Sequence, residues 1–111
     1  MMNTSNSTNF ASMFMYCRNL RFIPPLDTSS GTDFYRMFYF CSSLEEIPKT
    51  LDTSSTNQTD SNPMVQMFHG CYKIETIPKL TNVVGDVRYM FSSCVSLKRI
   101  PDIDFSNVTT T

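Results

Sequence analysis

Four cysteines and one histidine are the side chains of this 111-residue chain best suited to thiol, imidazole or zinc chemistry. Zinc binding or disulfide formation by Cys17, Cys41, Cys71 and Cys94 would need them grouped, but no Cys-x-x-Cys pair occurs and each lies more than twenty residues from the next. Each instead fills the same slot of a repeated pattern. That favours buried free thiols, which behave as small hydrophobes, over disulfides between neighbouring copies, with metal least favoured. His69 sits at a variable position of Met67-Phe68-His69-Gly70-Cys71, where other copies carry Met15, Tyr39 and Ser92, and is expected to be exposed. No Gly-x-Ser-x-Gly context surrounds it, and Gly31, Gly70 and Gly85 are too scattered to cradle a phosphate. The residues therefore assign no catalytic group, no cofactor and no metal, and the chain reads as a non-enzyme.

What positions these side chains is repetition. Met13-Phe14-x-x-Cys17-x-x-Leu20-x-x-Ile23-Pro24 recurs as Met37-Phe38, Cys41, Leu44, Ile47-Pro48, as Met67-Phe68, Cys71, Ile74, Ile77-Pro78, and as Met90-Phe91, Cys94, Leu97, Ile100-Pro101. A period of this size marks supersecondary units that cannot bury their own apolar faces and must lean on neighbours. Coils are expected near 10–33, 34–63, 64–86 and 87–111. Equivalent residues would stack into ladders, chiefly Phe14/Phe38/Phe68/Phe91 and Cys17/Cys41/Cys71/Cys94, and burying each such apolar side chain is worth about 1.5–3 kcal/mol.

Within each coil, Phe10, Met13, Phe14 and Cys17 fall at i, i+3, i+4 and i+7, and the same spacing recurs from Phe34, Met64 and Val87. It predicts one short helix per coil. Asn9, Asp33 and Asp86 precede three of these runs as caps, and Asn62-Pro63 precedes the other. After the cysteine, Leu20 and Ile23 are three residues apart, which a strand period of two cannot place on one face, so a bend and a very short extended piece near 20–23 are expected. Hydroxyl-rich Asp27-Thr28-Ser29-Ser30 and Asp52-Thr53-Ser54-Ser55 predict turns with local side-chain bonds, and the polar insertion around Gln58 predicts a surface loop.

Composition narrows the function classes. With 41% hydrophobic and 17% charged residues the chain is rich enough in apolar side chains to fold. A net charge of −1 without a basic run argues against nucleic acid. Neither a membrane-spanning stretch nor a signal peptide is legible, so no membrane insertion is expected. Both ends fall inside a repeat, and the expectation is a fragment of a longer array.

The variable pair between Leu and Ile gives Arg21-Phe22, Glu45-Glu46, Glu75-Thr76 and Lys98-Arg99. Stacked in order these residues form a stripe, with Arg21 beside Glu45 and Glu75 beside Lys98. One reading is a solvated face whose pairs set the register. The other makes Arg21, Phe22, Glu45, Glu46, Glu75, Thr76, Lys98 and Arg99, together with Tyr16, Tyr39, Phe40 and Tyr72, a recognition surface, because aromatics beside charges are favoured at interfaces.

The string from Met13 to Ser29, repeated in phase, resembles the repeat of the BspA-like leucine-rich-repeat surface proteins, which also occurs in mycoplasma lipoproteins. The insertion near Gln58, Ile74 in place of leucine, and the turn at 80–83 depart from that pattern. The resemblance implies an α/β fold, a leucine-rich-repeat-like solenoid of about four coils, each a short helix plus a very short strand. It also implies a cell-surface or extracellular site and an adhesive role. The resulting expectation is a binding module that contacts a protein or glycan through its lateral face, with many weak contacts acting together. The alternative is a structural spacer or virion component packing end to end with neighbouring chains.

Overall fold

The computed structural model describes residues 4, 6–24, 26–56, 63–100 and 103–110. The insertion around Gln58, the capping residue Asn62 and Pro101 lie outside them. Among the described residues there is no α-helix; the strands are β1 (Val84–Asp86) and β2 (Asn107–Thr110), which pair in parallel. This overturns the α/β solenoid of helix-plus-strand coils. The extents are 33 × 31 × 22 Å and the radius of gyration is 12.7 Å, close to the roughly 13 Å of a compact domain of about 100 residues.

The backbone of the Met-Phe segments shows why the helix fails. Ser12 and Tyr16 have φ of 58° and 61°, and the equivalent positions repeat this: Arg36 and Phe40 at 53° and 54°, Gln66 and Gly70 at 55° and 81°, Tyr89 and Ser93 at 59° and 64°. A left-handed residue every fourth position breaks any helix and costs about 1–2 kcal/mol where it is not glycine. The cost is offset by hydrogen bonds that a helix would forgo. Alternate amides close tight turns within the segment, as Met37 N to Phe34 O (3.0 Å) and Cys41 N to Phe38 O (3.1 Å). The amides between them cross to the next copy: Phe34 to Pro63 O (2.9 Å), Arg36 to Val65 O (3.1 Å), Phe38 to Met67 O (2.9 Å) and Phe40 to His69 O (2.7 Å).

The same crossing joins Phe10, Ser12, Phe14 and Tyr16 to Asp33, Tyr35, Met37 and Tyr39, and Gln66, Phe68 and Gly70 to Arg88, Met90 and Ser92. Two turns of four residues each bring the i, i+3, i+4 and i+7 positions inward much as a helix would. Phe34, Met37, Phe38 and Cys41 are all fully buried. The apolar periodicity thus reports the buried face correctly while leaving the backbone that presents it undetermined. Asn9, Asp33 and Asp86 accept from the amides of Ala11, Tyr35 and Arg88, two residues on, so they anchor turns where helix caps were expected.

The core is a set of like-on-like layers. Phe14, Phe38, Phe68 and Phe91 stack nearly parallel, with ring centroids 5.8, 5.5 and 5.8 Å apart, and Phe10 stacks on Phe34 at 5.7 Å. Leu44, Ile74, Ile47, Ile77, Leu51 and Leu80 continue the buried cluster. A threonine column also ties layers together. Thr28 Oγ1 donates to Asp52 O (2.9 Å) and accepts from Asp52 N (2.7 Å); Thr4 holds Asp27, and Thr53 holds Thr81, in the same way.

Extended structure is displaced from the expected place. Near 20–23 it reduces to a single parallel bridge, Phe22 to Glu46. The two named strands lie instead before and after the last Met-Phe copy, where the β-branched pair Val83-Val84 is buried; Gly85, at φ 72°, marks an irregularity in the register.

Candidate binding face

Each member of the charge stripe lands on the surface, and the register sets its partner. Glu45 N donates to Arg21 O (2.9 Å) and Lys98 N to Glu75 O (2.8 Å), which brings the side chains together. Arg21 Nε then bonds Glu45, and Lys98 Nζ lies 2.7 Å from Glu75 Oε1. The hydrogen bond to Arg21 holds the Glu45 carboxyl below its ordinary value and raises the guanidinium; the bond to Glu75 likewise raises Lys98. The guanidinium of Arg21 also covers the Phe22 ring at 5.5 Å. Glu46, Thr76 and Arg99 are exposed beside them. Arg21, Glu45, Lys73, Glu75 and Ser96 line an open polar groove of about 510 Å³.

A second feature adjoins this groove at Tyr72-Lys73. Tyr16 stacks on Phe40 (5.8 Å) and meets Tyr39 edge-on (5.5 Å); Phe40 in turn contacts Tyr39, His69 and Tyr72, and His69 reaches Tyr89. The result is an aromatic strip that crosses all the Met-Phe layers. Two arginines lie on it. Arg18 covers Tyr16 at 5.4 Å, and Arg36 covers Tyr39 at 4.6 Å and Tyr35 at 5.0 Å while its Nε donates to Gln66 Oε1 (2.7 Å). Neither has a carboxylate partner among the described residues, whereas Arg88 is bound to Asp86 at 2.7 Å.

His69 is half-buried within this strip, where exposure was expected. Burial, reinforced by the Arg36 charge, lowers its pKa. Arg36 and Tyr89 were passed over in the sequence, and His69 was read there only as an exposed side chain. Reading the slots as columns would have found them, since Tyr39 and His69 share one column while Arg36, Gln66 and Tyr89 share another.

The cysteines are free thiols, and they do more than fill space. Cys41 Sγ donates to Phe14 O (3.0 Å), Cys71 Sγ to Phe38 O (3.2 Å) and Cys94 Sγ to Phe68 O (3.2 Å), returning a bond to the preceding layer. Burial pushes Cys41 up to about 12 and Cys94 up to about 11, and raises Cys71 further. Such thiols are poor nucleophiles and poor metal ligands. Among the described residues no group of three His, Cys, Asp or Glu side chains converges to hold a metal ion, and no helix is long and apolar enough to cross a membrane.

These features define a short-repeat protein whose distinctive exposed chemistry is spread along its flank. The chain belongs to the family described as mycoplasma protein of unknown function, DUF285, whose profile matches residues 1–101. Neither a curated protein nor a solved structure matches it.

Proposed function

We propose that the chain is a non-enzymatic binding module of the BspA-like surface-repeat kind, placed at the cell surface and contacting a protein or glycan through its flank. The observation that carries this reading is the aromatic strip. Tyr16, Tyr72 and Tyr89 keep 49%, 39% and 62% of their surface exposed although the fold has an apolar core that could have taken rings. Aromatic side chains on a surface supply large contact area at low entropic cost, and arginine and tyrosine are enriched where binding energy concentrates. Repetition adds to this: weak contacts in successive layers act together through effective concentration. The membership in a mycoplasma family supports the kinship with surface repeat proteins.

The test is adhesion of beads displaying the chain to animal cells and to isolated matrix components. The unaltered chain is expected to bind, and a Tyr16→Ser/Tyr89→Ser double variant with an unchanged melting temperature is expected to lose binding. Equal adhesion by both, or by neither, contradicts the reading.

A further inference from the structure

The flank carries a charge pattern that narrows its ligand. Arg18 and Arg36 are held over tyrosine rings, in adjacent layers, without acidic partners among the described residues, although the chain as a whole is slightly acidic. His69 lies among the rings as well. Of the carboxylates at the equivalent turn positions, Asp86 is bound by Arg88 and Asp33 accepts from the amide of Tyr35. From this we infer that the strip binds a carboxylate-bearing glycan, the guanidiniums taking the carboxylates and the exposed surfaces of Tyr16 and Tyr89 packing against the sugar rings. This rests on the flank being the binding surface.

Two observations favour a glycan over an acidic peptide. The interlayer amides beneath the strip, at Tyr16, Arg36, Phe40, Gln66 and Gly70, are already bonded to the next layer, so an extended peptide finds no free sheet edge along those layers. Finally, Tyr16 and Tyr89 stand three layers apart, and at about 4.8 Å per layer that is roughly 15 Å, the reach of a short oligosaccharide and too long for a single sugar. Guanidinium suits the role because its planar fork matches a carboxylate with two parallel bonds.

The experiment compares two probes that differ only in charge: a hyaluronan hexasaccharide, and the same oligosaccharide with its carboxylates reduced to alcohols. Both are titrated into the intact chain while the amide and aromatic resonances are followed by NMR. The acidic probe is expected to shift Tyr16, Tyr39 and Tyr89, and the reduced probe to bind at least on the order of tenfold more weakly. Arg18→Gln/Arg36→Gln, checked by its melting temperature, should bring the two probes to equal affinity. Equal affinity for the unaltered chain overturns the inference, as does a shift confined to the groove of Arg21 and Glu75. If neither probe binds while the bead assay still depends on Tyr16 and Tyr89, the flank reading stands and the glycan inference fails.

Discussion

The Phe40 ring lies 2.6 Å from where a β-carbon on Gly70 would stand, and Gly70 holds a φ of +81°. The Tyr16–Phe40 stack therefore ends on a glycine because no side chain fits in the next layer. Gly70→Ala is expected to destabilise the fold by more than the about 1–2 kcal/mol of a left-handed alanine, since the ring must also move. In a Phe40→Ala background the cost should fall to that backbone strain alone. Denaturant midpoints of the double-mutant cycle check this, and additive costs would remove the ring from the explanation.

Phe38 has a ring on each face, Phe14 and Phe68, and is fully buried. Phe38→Ala should cost about 3–5 kcal/mol. Phe91, stacked on Phe68 and only half-buried, should cost less in the same substitution. Thermal melts of the two variants give the order directly.

Thr28 joins layers by donating to and accepting from the backbone of Asp52. Thr28→Val keeps the shape and leaves a carbonyl and an amide unmatched, at an expected cost of about 1–3 kcal/mol. Thr28→Ser, which restores the hydroxyl, should recover most of it. Equal losses in the two variants would assign the effect to packing.

The buried thiols set an alkaline limit. Cys41 titrates at about 12 in the fold and from 9.0 when free, so the unfolded chain loses its proton first as pH rises. Stability from this group is complete below about pH 9 and is lost progressively from there towards pH 12; Cys71 and Cys94 act in the same direction. Melting temperature should fall on that limb, and Cys41→Ser should flatten it. In the native state at neutral pH, Cys41 and Cys71 should resist a thiol reagent that modifies all four cysteines after unfolding.

Much of the core was legible because it depends on side-chain spacing alone. Phe14, Phe38, Phe68 and Phe91 occupy one slot of the repeat, and stacking equivalent slots puts them in one column whatever the backbone does. The pairs Arg21 with Glu45 and Glu75 with Lys98 follow from that same register. The backbone was not legible, for a physical reason. A spacing of i, i+3, i+4, i+7 is met by a helix and by two four-residue turns alike, and no glycine marks Ser12, Arg36 or Phe40 as left-handed. What decides is where the amide of Phe38 goes, and the acceptor, Met67, is supplied by another copy. Local propensity cannot contain that information. The aromatic strip was half-read for a related cause: Tyr39 and His69 are neighbours only across layers.

The central claim is that alternate amides of the Met-Phe segments bond across layers in place of a helix. Scalar coupling through the hydrogen bond, measured from the Phe38 amide nitrogen, tests it most directly. The coupling is expected to reach the carbonyl carbon of Met67; a coupling to the carbonyl carbon of Phe34, four residues back, would be the signature of a helix and would contradict the account.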